Sequence, residues 1–239
     1  MNRFFFLAAG FGKRMGAWTQ ETPKPLLKID GISFLDYSLF LANKWGVYYA
    51  WINVHYLREQ IKEHLKEFNA FPIKISMEKN ILGTAGGIRT ALESKDFNKL
   101  LVLYNPDTLL FPNRHFKLRT DLPENSKIHL YLSQLTENKA YTRISILENG
   151  RIKFGTGDLF YIGLAIIDPS ILLSLSPNEY YDLSDIFKSL AEKGQITGEI
   201  FDGETLDLGE KELYESYRNK NVFGETKSEI LDFISRYRN

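Results

Sequence analysis

Phe4-Phe-Phe-Leu-Ala-Ala-Gly10-Phe-Gly-Lys-Arg-Met15 opens the chain with a short apolar run that stops at glycines. Phe4 to Ala8 reads as a buried strand, because a brief, unbroken apolar run closed by Gly suits a strand covered on both faces. In its exit, Gly10-Phe11-Gly12-Lys13-Arg14, glycines let backbone N–H groups approach an anion with no Cβ in the way. Lys13 and Arg14 put cationic donors beside that nest; a tight turn carrying surface cations is the plainer alternative. Neither of two well-known phosphate loops fits. Met15 stands at the third glycine position of the dinucleotide fingerprint, and Lys13 lacks the Ser or Thr that follows it in a Walker A loop.

Working outward, Phe34 to Trp45 has helical spacing and Tyr48 to Val54 reads as a second strand. Leu57, Ile61, Leu65 and Phe68 fall on one helical face. Phe71 to Met77 alternates like a strand, Thr84 to Leu92 follows a glycine loop as a helix, and Leu100 to Leu103 is another buried strand. This β-α-β-α-β order predicts an α/β fold with a doubly wound, mostly parallel Rossmann-like sheet. Ligands of such sheets sit beyond the carboxyl ends of the strands, here just after residues 8, 54, 77 and 103.

The second half reads as more antiparallel. Its strands are Lys127 to Ser133, Thr142 to Leu147, Arg151 to Phe154 and Leu159 to Ile167, with a turn at Asn149-Gly150. A helix from Asp182 to Lys193 has Asp182 or Ser184 as N-cap and Gly194 as C-cap. A short strand pair and two terminal helices follow. The simplest organisation is one domain over residues 1–239. About 1–110 would form one half of it, and about 111–239 the other half with the C-terminal helices.

Thirty basic and thirty acidic residues cancel, so the basic excess of a nucleic-acid binder is missing. With no cysteine, disulfides, thiolate nucleophiles and Cys-ligated metals are excluded. No stretch approaches the roughly 20 apolar residues of a membrane span. The expectation is a cytoplasmic protein with no membrane partner. Histidines 55, 64, 115 and 129 show no metal-ligand spacing, and no nucleophile elbow is present.

Thr19-Gln-Glu-Thr-Pro23-Lys24-Pro25-Leu-Leu27 adds a lysine between two prolines, which stiffen the segment and fix where Lys24 points. Taken together, Leu7 to Met15 and Thr19 to Leu27 resemble the sugar-1-phosphate nucleotidyltransferase family, whose fold is GT-A-like. Its short, single-domain members include N-acetylmuramate-1-phosphate uridylyltransferases and heptose-1-phosphate guanylyltransferases. The resemblance implies that Leu7, Ala8, Ala9, Gly10, Gly12 and Lys13 cradle a nucleoside triphosphate. It gives Arg14 to the leaving pyrophosphate and Lys24 to the charge on the reacting phosphates, and makes about 1–110 the nucleotide-binding half and about 111–239 the sugar-phosphate-binding half.

Glu78-x-x-x-Leu82-Gly83-Thr84-Ala85-Gly86-Gly87 resembles the family's base-recognition loop. There Glu78 would accept from a base N–H, and Gly83 and Thr84 would read base edges. By themselves these residues also suit an exposed strand-end acid and a helix N-terminus, the latter an anion site in its own right. Tyr104-Asn105-Pro106-Asp107 matches the metal position, with Asn105 beside the nucleotide. Mg²⁺ takes hard oxygen ligands and usually only one or two carboxylates plus substrate phosphates. The alternative for Asp107 is a turn residue. Asp207, in Leu206-Asp-Leu-Gly-Glu210, resembles the second metal carboxylate, with Glu210 and Lys211 replacing the usual Thr-Pro.

On the sugar side Thr142 replaces a glycine, and Tyr161-Ile162-Gly163 replaces Asn-Thr-Gly. Lys153 to Gly157 stands where Glu-Lys-Pro is usual. Thr142 and Gly163 are therefore the sugar-phosphate candidates, and the usual acceptor contacts do not carry over. No C-terminal β-helix region of the kind some relatives have is expected. Ile230, Phe233, Ile234 and Tyr237 form a stripe that suits core packing or a dimer contact, so the protein is a monomer or homodimer. The implied reaction joins a nucleoside triphosphate to a sugar-1-phosphate and releases pyrophosphate, with Mg²⁺, for cell-envelope polysaccharide. Two alternatives stand beside it: a cytidylyltransferase for a non-sugar phosphate such as phosphocholine, and a catalytically silent nucleotide-sugar-binding regulator.

Overall fold

The computed structural model describes residues 2–135 and 141–238. The chain divides into two compact units, one of residues 1–81, 105–109 and 206–239, the other of residues 82–104 and 110–205.

In the first unit the strands Asn2–Leu7, Val47–Val54 and Ile73–Met77 run parallel, with Leu7 opposite Asn53 and Val54 opposite Met77. Phe4, Phe5 and Phe6 are all 0% exposed, so both faces of the first strand are covered, as its unbroken apolar run predicts. Ser33 caps the helix Phe34–Lys44 by accepting from the Asp36 N–H, and Phe34 through Ala42 are all buried. The next helix is Arg58–Leu65, with Ile61 and Leu65 buried. Leu57 precedes it in a left-handed conformation (φ 48°), and Phe68 lies beyond its end, so the four-residue face read from periodicity shortens to two. Lys28–Ile29 and Ile32–Ser33 form a hairpin that was not anticipated. Its turn, Asp30-Gly31, has positive φ at both residues, the mark of a type I′ turn. Helices Lys211–Tyr217 and Thr226–Tyr237 complete the unit. Ile230 and Phe233 are buried, and Phe233 meets the rings of Phe40 and Phe68, which makes the terminal stripe a packing face.

One buried acid ties this unit together. Asp36 accepts from Ser33 Oγ at 2.6 Å and from His64 Nε2 at 3.1 Å, and it pairs with Arg238. Burial pushes its carboxyl up, but the His64 hydrogen bond and charge and the Arg238 guanidinium outweigh that and hold it below the ordinary 3.8. A lowered folded value means that this stabilisation is present above pH 3.8 and is lost as the pH falls through the lowered value. Asp36→Ala should cost about 3 kcal/mol in urea unfolding at neutral pH, from a broken buried pair. The penalty should shrink in acid below pH 3.8; a penalty equal at pH 3 and pH 7 would contradict it.

In the second unit Leu159–Ile167 pairs antiparallel with Leu101–Tyr104 and with Ile128–Gln134. Ile196–Ile200 runs parallel to Ile128–Gln134, and Ile144–Ile146 with Ile152–Phe154 makes the expected hairpin, its first strand shorter than predicted. Helix Gly83–Ala91 lies in this unit, and helix Leu183–Glu192 is capped by the Asp182 side chain accepting from Ser184 N–H. Its end differs from the expectation by one residue. Lys193 is the C-cap, and Gly194 (φ 64°) follows it in a Schellman motif, where Gln195 N–H donates to the Leu190 carbonyl. Gly203–Asp207, whose last two residues belong to the first unit, pairs with Thr108–Pro112, a strand not anticipated whose first two residues do, instead of with Ile196–Ile200. Among the described residues no helix is long and apolar enough to cross a membrane.

Candidate active site

The phosphate-loop segment, the Pro-flanked lysine and both candidate metal carboxylates fall in the first unit. Ala8 and Ala9 are buried beyond the first strand, and the chain surfaces at Gly10. Gly12 must be glycine: its φ is 64°, and a Cβ there would lie 2.8 Å from Thr19 Cγ2. Thr19 Oγ1 donates to the Gly12 carbonyl at 3.0 Å, which locks the loop. A Cβ at Gly10 would meet nothing within 4 Å, so the space over that residue is open. Lys13–Met15 forms one 3₁₀ turn whose Met15 is buried as an anchor, leaving Lys13 and Arg14 exposed.

Pro23 is extended (φ −64°, ψ 141°) and leads into the 3₁₀ turn Lys24–Leu26, where Pro25 is buried. The Lys24 ammonium pairs with the Asp107 carboxylate, and the Lys24 side chain is only 12% exposed. Asp107 sits in the turn after Leu101–Tyr104, closed by Thr108 N–H donating to the Asn105 carbonyl. Leu208 N–H donates to the Asp107 carbonyl at 3.2 Å, which lays the Asp207 segment against the Asp107 turn. Gly209 N–H donates to Asp207 Oδ1 at 2.8 Å. A Cβ on Gly209 would be 2.9 Å from Asp207 Oδ1 and 3.4 Å from both Arg14 Nη2 and Lys24 Nζ. Arg14 and Lys24 thus reach the turn that carries Asp207, and Lys24 also pairs with Asp107, which sets two carboxylates among two cations. The exposed Arg14–Glu210 pair at 3.7 Å contributes little.

Asn105 Oδ1 is buried and has no hydrogen-bond partner among the described residues. An amide oxygen left so costs about 1–3 kcal/mol, which makes it a ready acceptor beside Asp107. Glu78 lies elsewhere in this unit and is 2% exposed. Its Oε1 accepts from Asn53 Nδ2 at 2.7 Å, and Asn53 Oδ1 accepts the Ala8 N–H at 2.9 Å. The bare reading of Glu78 as an exposed strand-end acid is therefore wrong, and the Ala8 donor is already used within the protein. Sequence reasoning assigned Asn53 no role; a buried amide at a strand's carboxyl end, which must find partners, was the available signal.

In the second unit, Ala85 and Gly86 N–H groups donate to the Tyr181 carbonyl at 3.1 and 3.2 Å. The helix N-terminus considered as an anion site therefore has two of its donors occupied. Gly83 (φ 68°) and Thr84 stand at its start. Thr142 is exposed ahead of Ile144–Ile146, and Gly163 (φ 79°) occupies a bulge within Leu159–Ile167. Tyr141 stacks on Phe160, with ring centroids 4.4 Å apart. Among the described residues no group of three or more His, Cys, Asp or Glu side chains is arranged to hold a metal ion.

Residues 5–118 match the MobA-like NTP transferase domain family model. N-acetylmuramate alpha-1-phosphate uridylyltransferase of Neisseria meningitidis is 28% identical over 85% of this chain and 91% of its own length. D-glycero-alpha-D-manno-heptose 1-phosphate guanylyltransferase of Campylobacter jejuni is 29% identical over 87% and 95%. The chain is thus similar over most of its length to sugar-1-phosphate nucleotidyltransferases. The solved inositol-1-phosphate CTP transferase of T. maritima superposes on all of this nucleotidyltransferase-like chain and on 98% of its own, with TM-score 0.74. At 20% identity that likeness is one of fold.

Proposed function

We propose that the protein transfers a nucleotidyl group from a nucleoside triphosphate to a sugar-1-phosphate, giving a nucleotide sugar and pyrophosphate. The observation that carries this reading is the convergence of Arg14, Lys24 and Asp207 on Gly209, with Asp107 paired to Lys24. The motifs and relatives that group the chain with nucleotidyltransferases support it.

A sugar-phosphate oxygen is already anionic, so its attack on the α-phosphorus needs no general base. The new O–P bond forms as the bond from the α-phosphorus to the bridging oxygen breaks, and pyrophosphate leaves with that electron pair. Catalysis is positioning and charge neutralisation. Arg14 neutralises the departing pyrophosphate, and the Lys24 ammonium the reacting phosphates. The open space at Gly10 admits a phosphate to the loop, and the unpartnered Asn105 oxygen offers an acceptor for a nucleotide hydroxyl. Asp107 and Asp207 fit Mg²⁺, two hard oxygen donors in a site where substrate phosphates would supply the rest. Bound there, the ion would withdraw charge from the α-phosphate. This reading places the protein in cytoplasmic nucleotide-sugar supply for cell-envelope polysaccharide.

The test is pyrophosphate release over UTP, GTP, CTP and dTTP, each with N-acetylmuramate, heptose, mannose and glucose 1-phosphates and Mg²⁺. One triphosphate should react only when its sugar phosphate is present. Tight triphosphate binding without turnover across the panel would refute the reading.

A further inference from the structure

We infer that Asn53 is a positioning residue that sets the phosphate loop and Glu78 in register for nucleotide binding. The inference rests on the nucleotide-binding reading of this site. Asn53 is the next-to-last residue of its strand, directly opposite Leu7, the last residue of the first strand, and is 3% exposed. Its two amide atoms do different work. Oδ1 accepts the Ala8 N–H at 2.9 Å, where the phosphate loop leaves the sheet, and Nδ2 donates to Glu78 Oε1 at 2.7 Å. Because a backbone N–H can only donate, the Ala8 contact fixes which way the amide faces and turns Nδ2 toward Glu78.

The connection is reinforced next door. Glu78 N–H donates to the Val54 carbonyl at 2.9 Å, and His55 Nδ1 lies 3.0 Å from the Glu78 carbonyl. The His55 ring packs edge-on against Phe11 of the loop, with centroids 5.4 Å apart. Residues 53–55 thereby grip both the phosphate loop and Glu78. A nucleotide held at both places has its phosphates and base spaced by this strand end.

The pairing predicts a polarity rule. In Asn53→Asp an acceptor replaces the donor facing Glu78, and two carboxylates oppose each other. In the Glu78→Gln background the same change is tolerated, since the Gln amide can donate to the new carboxylate. Losing this buried hydrogen bond should raise KM for the triphosphate about tenfold or more in Asn53→Asp. The change in kcat, and in KM for the sugar phosphate, should stay within about threefold. Added to Glu78→Gln, Asn53→Asp should change the triphosphate KM by less than about threefold, the non-additivity of directly bonded partners. Ala8 amide hydrogen exchange, which needs no substrate, should be slow in the native chain and fast in Asn53→Leu, which removes the acceptor. That readout separates this inference from the proposed reaction. Unprotected Ala8 in the native chain, an unmoved triphosphate KM in Asn53→Asp, or equal penalties in both backgrounds would each overturn it. Should Asn53→Asp fail to fold, the double variant must still fold and bind; its failure would also overturn the inference.

Discussion

Asp107→Asn is expected to lower kcat for pyrophosphate release by about 10²–10³-fold, the usual cost of losing one preorganised charge partner at a reacting centre. The change is isosteric, so the turn closed by Thr108 N–H and the Leu208 hydrogen bond, both backbone contacts, is kept. What disappears is one of two carboxylates and the anionic partner of Lys24. A cooperative melt together with a collapsed rate is the expected combination. Asp207→Asn and Lys24→Ala should fall in the same range, because they face the same Gly209. If Asp107→Asn turned over at the native rate, the metal and charge roles would lie elsewhere.

Gly83→Ala should be a severely destabilising single-methyl change. Gly83 has φ 68°, where a Cβ is strained, and that Cβ would lie 2.5 Å from the Tyr181 carbonyl oxygen. The oxygen cannot swing aside like a side chain, because it accepts from both Ala85 and Gly86 N–H groups. The neighbouring Gly86 is as tightly held, with the Glu179 carbonyl oxygen 2.2 Å from its would-be Cβ. Strain plus overpacking should cost about 3 kcal/mol, or a fall in melting temperature of roughly 6–12 °C for a chain of this size. A melt within a degree of the native protein would show that the segment 179–181 yields freely.

Much of this was legible in the residues. The unbroken run Phe4 to Leu7 could only be a strand buried on both faces, and helical spacing in Phe34 to Trp45 announced the helix that covers the first unit. Arg14, Lys24, Asp107 and Asp207 stood out as a set through the family resemblance of the motifs that carry them; on local pattern alone each also suited a turn or surface residue. Pattern failed where long-range pairing decides. Nothing local shows that Gly203–Asp207 pairs with Thr108–Pro112, or that the Tyr181 carbonyl caps the helix at Gly83. Leu57 misled the helix boundary because periodicity does not sense a left-handed residue before a first turn. The Asp30-Gly31 hairpin was a local signal that could have been read. Glu78 was legible as a polar residue at a strand end, but its burial against Asn53 depends on two parallel strands meeting in register.

The most direct test of the proposed reaction is the product itself. The native protein, Mg²⁺ and a sugar-1-phosphate would be mixed with UTP or GTP and followed by mass spectrometry. A nucleotide sugar should accumulate in equal amount with pyrophosphate, and neither should form when the sugar phosphate is omitted. Pyrophosphate released without a nucleotide sugar, or a triphosphate that raises the melting temperature yet stays uncleaved with every sugar phosphate, would contradict the reaction assigned to this site.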